Sequence, residues 1–108
     1  MTQITRKSPL LKEIKKAVQT LSPSAEIILY GSRAKGTARA DSDWDFLILL
    51  PSTGNKMLEA QIKDTLYDIE LERDAVLSSI IRSKKEWMSA RYAVMPLRQQ
   101  IESYGIAV

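Results

Sequence analysis

The chain has 108 residues, of which 44% are hydrophobic and 27% are charged, and this composition predicts a single soluble domain spanning residues 1–108. It contains neither Cys nor His, which excludes disulfides and the usual zinc sites and agrees with a cytoplasmic protein. The net charge of +3 fits nucleic-acid binding, a basic triphosphate site or a solvated helix face. The solvated face is favoured, and direct nucleic-acid binding is not expected, because basic residues cluster near the N-terminus: Arg6, Lys7, Lys12, Lys15 and Lys16.

The first half of the chain predicts a helix followed by two strands. Ser8 and Pro9 fit an N-cap and a first helical residue, and apolar residues then recur at helical spacing. A Ser-Pro-Ser break precedes an apolar strand over residues 25–30. A longer apolar run over residues 44–50 is typical of a central strand of a sheet.

The second half predicts a helix, a strand and two further helices. Residues 57–67 fit a helix, and residues 69–82 are interpreted as a long strand, although their composition also allows a helix. A capping box at residues 83–86 predicts a helix as far as Tyr92, and Pro96 begins the last helix. This order of elements predicts an α/β or α+β fold with helices packed on a sheet, and no segment is long enough to span a membrane.

A turn that contains Gly, Ser and basic residues follows the first strand. Gly31 lets the backbone come close to a ligand because it has no Cβ, and Ser32 fits the N-cap of a short helical turn. Free amide groups at such a turn can bind an anion, while Arg33 and Lys35 add positive charge. The turn is therefore a candidate phosphate site, and the alternative is an ordinary turn with solvated basic residues.

Two carboxylates, Asp43 and Asp45, stand at the start of the second strand. Side chains two apart on a strand share a face, roughly 6.5–7 Å apart along the chain, so both carboxylates can approach one divalent ion. Hard oxygen ligands suit Mg²⁺ or Mn²⁺. A polar loop explains Asp43 equally well, but Asp45 within a buried strand is costly unless a group pairs with it.

A third carboxylate would make a two-metal site easier to build, and three residues compete for that role. Asp74 precedes the apolar residues of the third predicted strand and is preferred. Glu70 and Glu72 remain alternatives. A surface ion pair between Arg73 and Asp74 would explain Asp74 without a role in metal binding.

The turn from Gly31 to Gly36, followed by Asp43 and Asp45, resembles the signature of the DNA polymerase beta-type nucleotidyltransferase superfamily. The short chain is similar to the minimal nucleotidyltransferases of that superfamily over about residues 8–108. Asp74 falls where the family carries its third Asp on a strand. The resemblance implies a polymerase-beta-like nucleotidyltransferase fold, with a mixed sheet and helices packed on it.

The resemblance also implies a role for each motif residue and identifies the cofactor. Two Mg²⁺ ions are expected, with Mn²⁺ as the alternative, and ATP is the expected donor. Trp44 is bulkier than the usual aliphatic residue between the two aspartates and is expected to face away from the metals and pack on a helix. The implied site comprises the nucleotide-binding residues Gly31, Ser32 and Arg33, and the catalytic carboxylates and metal ligands Asp43, Asp45 and Asp74.

These expectations point to a Mg²⁺-dependent enzyme that transfers a nucleoside monophosphate, AMP from ATP, to a hydroxyl of a partner protein. The resemblance implies that the chain is the antitoxin of a pair whose toxin is a small helical protein of the HEPN type. One alternative is a catalytically silent protein that neutralises its partner by binding, which the intact motif disfavours. The other is a transferase acting on a small molecule such as an antibiotic, which the lack of an acceptor domain disfavours.

Overall fold

The computed structural model describes residues 8–52 and 55–108, so Arg6 and Lys7 of the predicted basic helix face lie outside the described residues. Within these two ranges, four strands form one sheet: β1 (Glu26–Tyr30), β2 (Trp44–Leu50), β3 (Leu77–Ser83) and β4 (Ile106–Ala107). The helices are α1 (Pro9–Leu21), α2 (Ser32–Lys35), α3 (Lys56–Arg73), α4 (Lys84–Trp87), α5 (Ala90–Ala93) and α6 (Pro96–Tyr104). Within the described residues, no helix combines the length and the apolarity needed to cross a bilayer.

The strand order in the sheet is β3-β2-β1-β4. Strand β1 runs antiparallel to both β2 and β4, whereas β2 and β3 are parallel. A parallel connection needs a crossover, and α3 provides it. The structure therefore confirms the predicted α/β fold with a mixed sheet and helices packed on it.

Strand β2 lies at the centre of the molecule and is buried on both faces. Phe46, Ile48 and Leu50 pack with buried residues of α1 and α3 on one face of the sheet. Leu47 and Leu49 pack on the other face with residues of α4 and α6. Burial on both faces explains why β2 is apolar without interruption from Phe46 to Leu50 rather than alternating.

The predicted strand over residues 69–82 is wrong in its first half, because residues 69–73 belong to α3. Ile62, Leu66 and Ile69 are all buried, so the helical spacing of apolar residues continues past the predicted end of the helix. The helix ends at Asp74, which adopts the left-handed conformation with φ 51°. Strand β3 begins three residues later.

Two smaller differences concern the C-terminal third. The capping box is confirmed, since the Ser83 hydroxyl accepts from the Glu86 amide at 3.0 Å and the Glu86 carboxylate accepts from the Ser83 amide at 3.3 Å. The helix that begins there ends at Trp87 rather than at Tyr92, and a separate turn of helix follows. Strand β4 has no counterpart in the sequence prediction, because two residues are too few to establish a period.

Candidate active site

The turn after β1 depends on a glycine at its first position. Gly31 has φ 73° and ψ −158°, a combination that is essentially restricted to glycine. A Cβ at this position would overlap Asp45 Oδ2 and would lie 3.3 Å from Asp45 Cγ. The expectation that Ser32 is the N-cap is wrong, because Gly31 is the N-cap and Ser32 is the first residue of α2. The amides of Ser32 and Arg33 therefore have no acceptor within their own helix.

The two aspartates of the motif lie next to this turn. Asp43 immediately precedes β2, and Asp45 is the second residue of the strand, paired with Tyr30 of β1. Burial, and then the charge of Asp43, raise the pKa of Asp45. Asp43 is thus close enough for its charge to disfavour the ionised form of Asp45, and a divalent cation bound between the two carboxylates would relieve that repulsion. Their oxygen chemistry fits Mg²⁺ or Mn²⁺.

Tyr30 also responds to the carboxylate beside it. Its pKa is raised by burial and by the negative charge of Asp45. Tyr30 therefore remains a neutral hydroxyl next to Asp45 at physiological pH. The sequence alone does not reveal this neighbour, because the antiparallel pairing that joins Tyr30 to Asp45 is a tertiary feature.

Trp44, between the two aspartates, lies on the opposite face of the sheet. Successive side chains of a strand point to opposite faces, and Trp44 packs against the core formed with α1 and α3. The expectation that Trp44 faces away from the Asp43 and Asp45 carboxylates is confirmed by this placement. The Arg33 guanidinium stacks on the ring, with Cζ 4.3 Å from the ring centroid.

Arg33 makes several contacts within the protein. Its Nη2 donates to the carbonyl of Ser42 at 2.9 Å and to that of Ala40 at 3.2 Å. Its Nε is buried and has no hydrogen-bond partner among the described residues. The guanidinium therefore holds the loop that leads into Asp43, which is a structural role; its expected contact with phosphate stays a prediction.

We predict that Arg33→Lys lowers the free energy of unfolding by about 1–3 kcal/mol. A lysine keeps the charge, but its ammonium group is not planar. It therefore cannot stack flat on Trp44 while it donates to both carbonyls. Chemical denaturation would measure the change, with the exposed Arg39→Lys as the matched control. Equal stability of the two variants would contradict the role assigned to Arg33.

Asp74 does not lie where the expected third metal ligand would be. It is the C-cap of α3, and it lines a cavity of about 210 Å³ together with Arg33, Trp44 and Val76, on the Trp44 side of β2. Among residues 8–52 and 55–108, no three side chains of the ligand types Asp, Glu, His or Cys converge on a common metal position. The placement of Asp74 on a strand beside the other two aspartates is therefore wrong, because α3 continues to residue 73.

The competing carboxylates are accounted for in other ways. Glu70 Oε2 accepts from the Leu77 amide at 3.0 Å and so fixes the start of β3. Glu72 is exposed on α3. The residue of β3 that pairs with Asp45 is Ser78.

Taken together, the site can hold one divalent cation on Asp43 and Asp45 and accept a phosphate at the adjoining turn. The sequence matches the protein family described as the nucleotidyltransferase domain over residues 11–104. No curated protein matches the chain significantly.

Two solved structures are similar to this chain in fold. One is a crystal structure of a toxin–antitoxin with AMP-PNP, with a TM-score of 0.61 and 23% identity over 89% of this chain and 69% of that chain. The other is a mutant of the toxin–antitoxin MntA-HpeT, with a TM-score of 0.61 and 21% identity over the same shares of the two chains.

Proposed function

Because the chain belongs to the nucleotidyltransferase domain family, we propose that it binds ATP with Mg²⁺ and transfers AMP to a hydroxyl of a partner protein. The partner proposed here is a toxin of the helical HEPN type, and the chain would act as its antitoxin in the cytoplasm. The observation that carries this proposal is the position of the Asp43–Asp45 pair directly beside the Gly31–Ser32 turn.

Each group of this site has a distinct task in the proposed reaction. Asp43 and Asp45 hold the divalent ion, which would neutralise phosphate charge and orient the triphosphate. Gly31 leaves room for the phosphates, and Ser32 donates from its amide and its hydroxyl. The acceptor oxygen forms a bond to the α-phosphorus while the bond to pyrophosphate breaks, and the proton of the acceptor hydroxyl passes to a base. Most of the catalytic effect would come from positioning and charge neutralisation.

Two observations support a protein partner that carries the acceptor. The structurally similar chains come from toxin–antitoxin crystals, one of which contains AMP-PNP. Large apolar side chains are also exposed close together in sequence around α5, namely Met88, Val94 and Met95. Exposed large apolar side chains that form one patch mark protein interaction surfaces, and these three residues are the proposed members of such a patch.

The proposal is tested by incubating the chain with α-labelled ATP, Mg²⁺ and the purified candidate toxin, and by locating the label. Label on the toxin that requires both Mg²⁺ and this chain is the expected result. A companion variant, Val94→Lys, is expected to lose partner binding and keep nucleotide binding. Absence of label from every candidate partner, although nucleotide binds, would exclude transfer to protein.

We predict that Ser32→Ala weakens nucleotide binding without weakening partner binding. Loss of one hydroxyl donor costs about 0.5–1.5 kcal/mol, and up to about 3 kcal/mol if the hydroxyl donates to a charged phosphate. Calorimetry with ATP and Mg²⁺ would measure nucleotide binding, and a pull-down would measure partner binding. Unchanged nucleotide affinity would remove Ser32 from the site, and the exposed Thr37→Ala is the control.

A second candidate function is favoured by the absence of any carboxylate from β3, whose residues run from Leu77 to Ser83. Because no third carboxylate lies beside Asp45 in the part of the chain that the structure describes, this function would be nucleotide binding and neutralisation of the partner without transfer. Cells expressing the toxin with the Asp43→Asn variant distinguish the two functions. Full neutralisation by this variant would favour binding alone, and lost neutralisation with retained partner binding would favour transfer.

A further inference from the structure

We propose that this site binds one divalent ion per nucleotide through Asp43 and Asp45, and that Ser78 occupies the position from which a carboxylate would hold a second ion. The inference rests on the proposed function and deepens it, because it concerns the same site. It also departs from the two-ion expectation that followed from the family resemblance.

The sheet register identifies Ser78 as this position. Strand β3 runs parallel to β2, and Ser78 is the Cα partner of Asp45. Neighbouring strands lie about 4.8 Å apart, so paired residues present their side chains on the same face at closest range. A carboxylate that shares an ion with Asp45 would fit at this position.

The neighbours of Ser78 along β3 support this assignment. Leu77 and Ile81 pack into the core on the α1 and α3 side, whereas Ile80 packs into the core on the other side with Leu47. Ser78 therefore shares its face with Ile80 and Asp45. Ser79 points to the opposite side, where its hydroxyl accepts a hydrogen bond from Lys63 Nζ of α3 at 2.7 Å.

Both strands that flank Asp45 therefore present hydroxyls rather than anions. Tyr30 is its partner on β1, and Ser78 is its partner on β3. The charge of the two carboxylates, −2, matches that of one divalent ion. The remaining acidic residues near β3 lie elsewhere, since Glu70 bonds to the Leu77 amide and Asp74 lies on the Trp44 side of β2.

This arrangement has a consequence for the transfer step. No carboxylate of β3 is available to take the proton of the acceptor hydroxyl. In the one-ion site, that proton passes to water, to a phosphate oxygen of the nucleotide or to a base carried by the acceptor protein. A base on the acceptor protein would make the partner contribute to the chemistry as well as supply the hydroxyl.

The test is to count bound Mn²⁺ ions per bound α,β-methylene-ATP, a non-hydrolysable analogue, by equilibrium dialysis with saturating Mn²⁺. The wild-type chain is expected to bind one ion per nucleotide. Ser78→Asp is expected to bind two. Ser79→Asp is the matched control on the opposite face of the same strand and is expected to remain at one.

The outcomes separate this inference from the function on which it rests. Two ions per nucleotide in the wild-type chain would overturn the inference and leave the proposed function intact. No bound nucleotide and no bound Mn²⁺ would overturn the proposed function itself. One ion in a Ser78→Asp variant that melts like the wild-type chain would show that Ser78 is not the missing position. If Ser78→Asp does not fold, the inference is tested by the number of Mn²⁺ ions bound per nucleotide in the wild-type chain and in Ser78→Glu.

Discussion

Asp43→Asn and Asp45→Asn are each expected to reduce the affinity for the metal–nucleotide complex by roughly 100-fold or more and to abolish transfer. Replacing a residue that only orients a metal ligand commonly costs 10–100-fold, and a direct ligand should cost no less. Asparagine preserves the shape of the side chain and removes its charge. Calorimetry with Mn²⁺ and a non-hydrolysable ATP analogue would measure the loss.

The same substitution at Asp45 should stabilise the metal-free protein. Burial and the charge of Asp43 raise the pKa of Asp45, so folding disfavours its ionised form. The stability that this group contributes is present below the pKa of the unfolded carboxyl and is lost as the pH rises through the raised value. At neutral pH, Asp45→Asn removes an unfavourable charge, and the melting temperature without metal should therefore increase.

A gain in stability together with a loss of binding is what distinguishes a site residue from a structural one. Asp41→Asn is the control, because Asp41 lies exposed in the same loop and should change neither property. If Asp45→Asn lowers the melting temperature without metal, Asp45 has a structural partner and the assignment as a metal ligand is wrong. If both aspartate variants bind the metal–nucleotide complex like the wild-type chain, the candidate site is wrong.

The parts of the fold and site that depend only on residues close together in the sequence could be predicted from it. The apolar run from Phe46 to Leu50 is continuous, and a strand buried on both faces accounts for it. The face of Trp44 and the shared face of Asp43 and Asp45 follow from the two-residue period of a strand. The capping box at Ser83 is equally local, because both of its hydrogen bonds join residues three apart.

The rest of the site depends on tertiary pairing, which one sequence does not contain. Residues 69–73 have a composition that suits both a helix and a strand. The helix is favoured only because it packs Ile69 against the core. That decision moves Asp74 off the strand. Ser78 carries no motif of its own, and its importance follows only from its register with Asp45. The sequence shows the charge of Arg33, which is predicted to bind phosphate, but it does not show the hydrogen bonds of Arg33 to the loop.

Gly31→Ala is expected to lower the free energy of unfolding by about 2–6 kcal/mol, a larger loss of stability than Arg33→Lys should cause. A side chain at φ 73° and ψ −158° costs about 1–3 kcal/mol of backbone strain. Forcing a methyl group against Asp45 Oδ2 adds about 1–3 kcal/mol of overpacking. Gly36→Ala is the matched control, because Gly36 has φ 80° but a Cβ added there would meet no heavy atom within 4 Å, so only strain applies.

A double-mutant cycle with Asp45→Ala separates these two contributions at Gly31. Asp45→Ala removes the carboxylate that the new methyl group would meet and leaves the backbone strain unchanged. In that background, Gly31→Ala should cost about 1–3 kcal/mol less than in the wild-type chain, and a coupling of this size is typical of residues in contact. Chemical denaturation of the four proteins would measure it. Equal costs in both backgrounds would mean that Gly31 and Asp45 are not in contact. The proposal that the phosphate-binding turn and the metal ligands form one site would then be wrong.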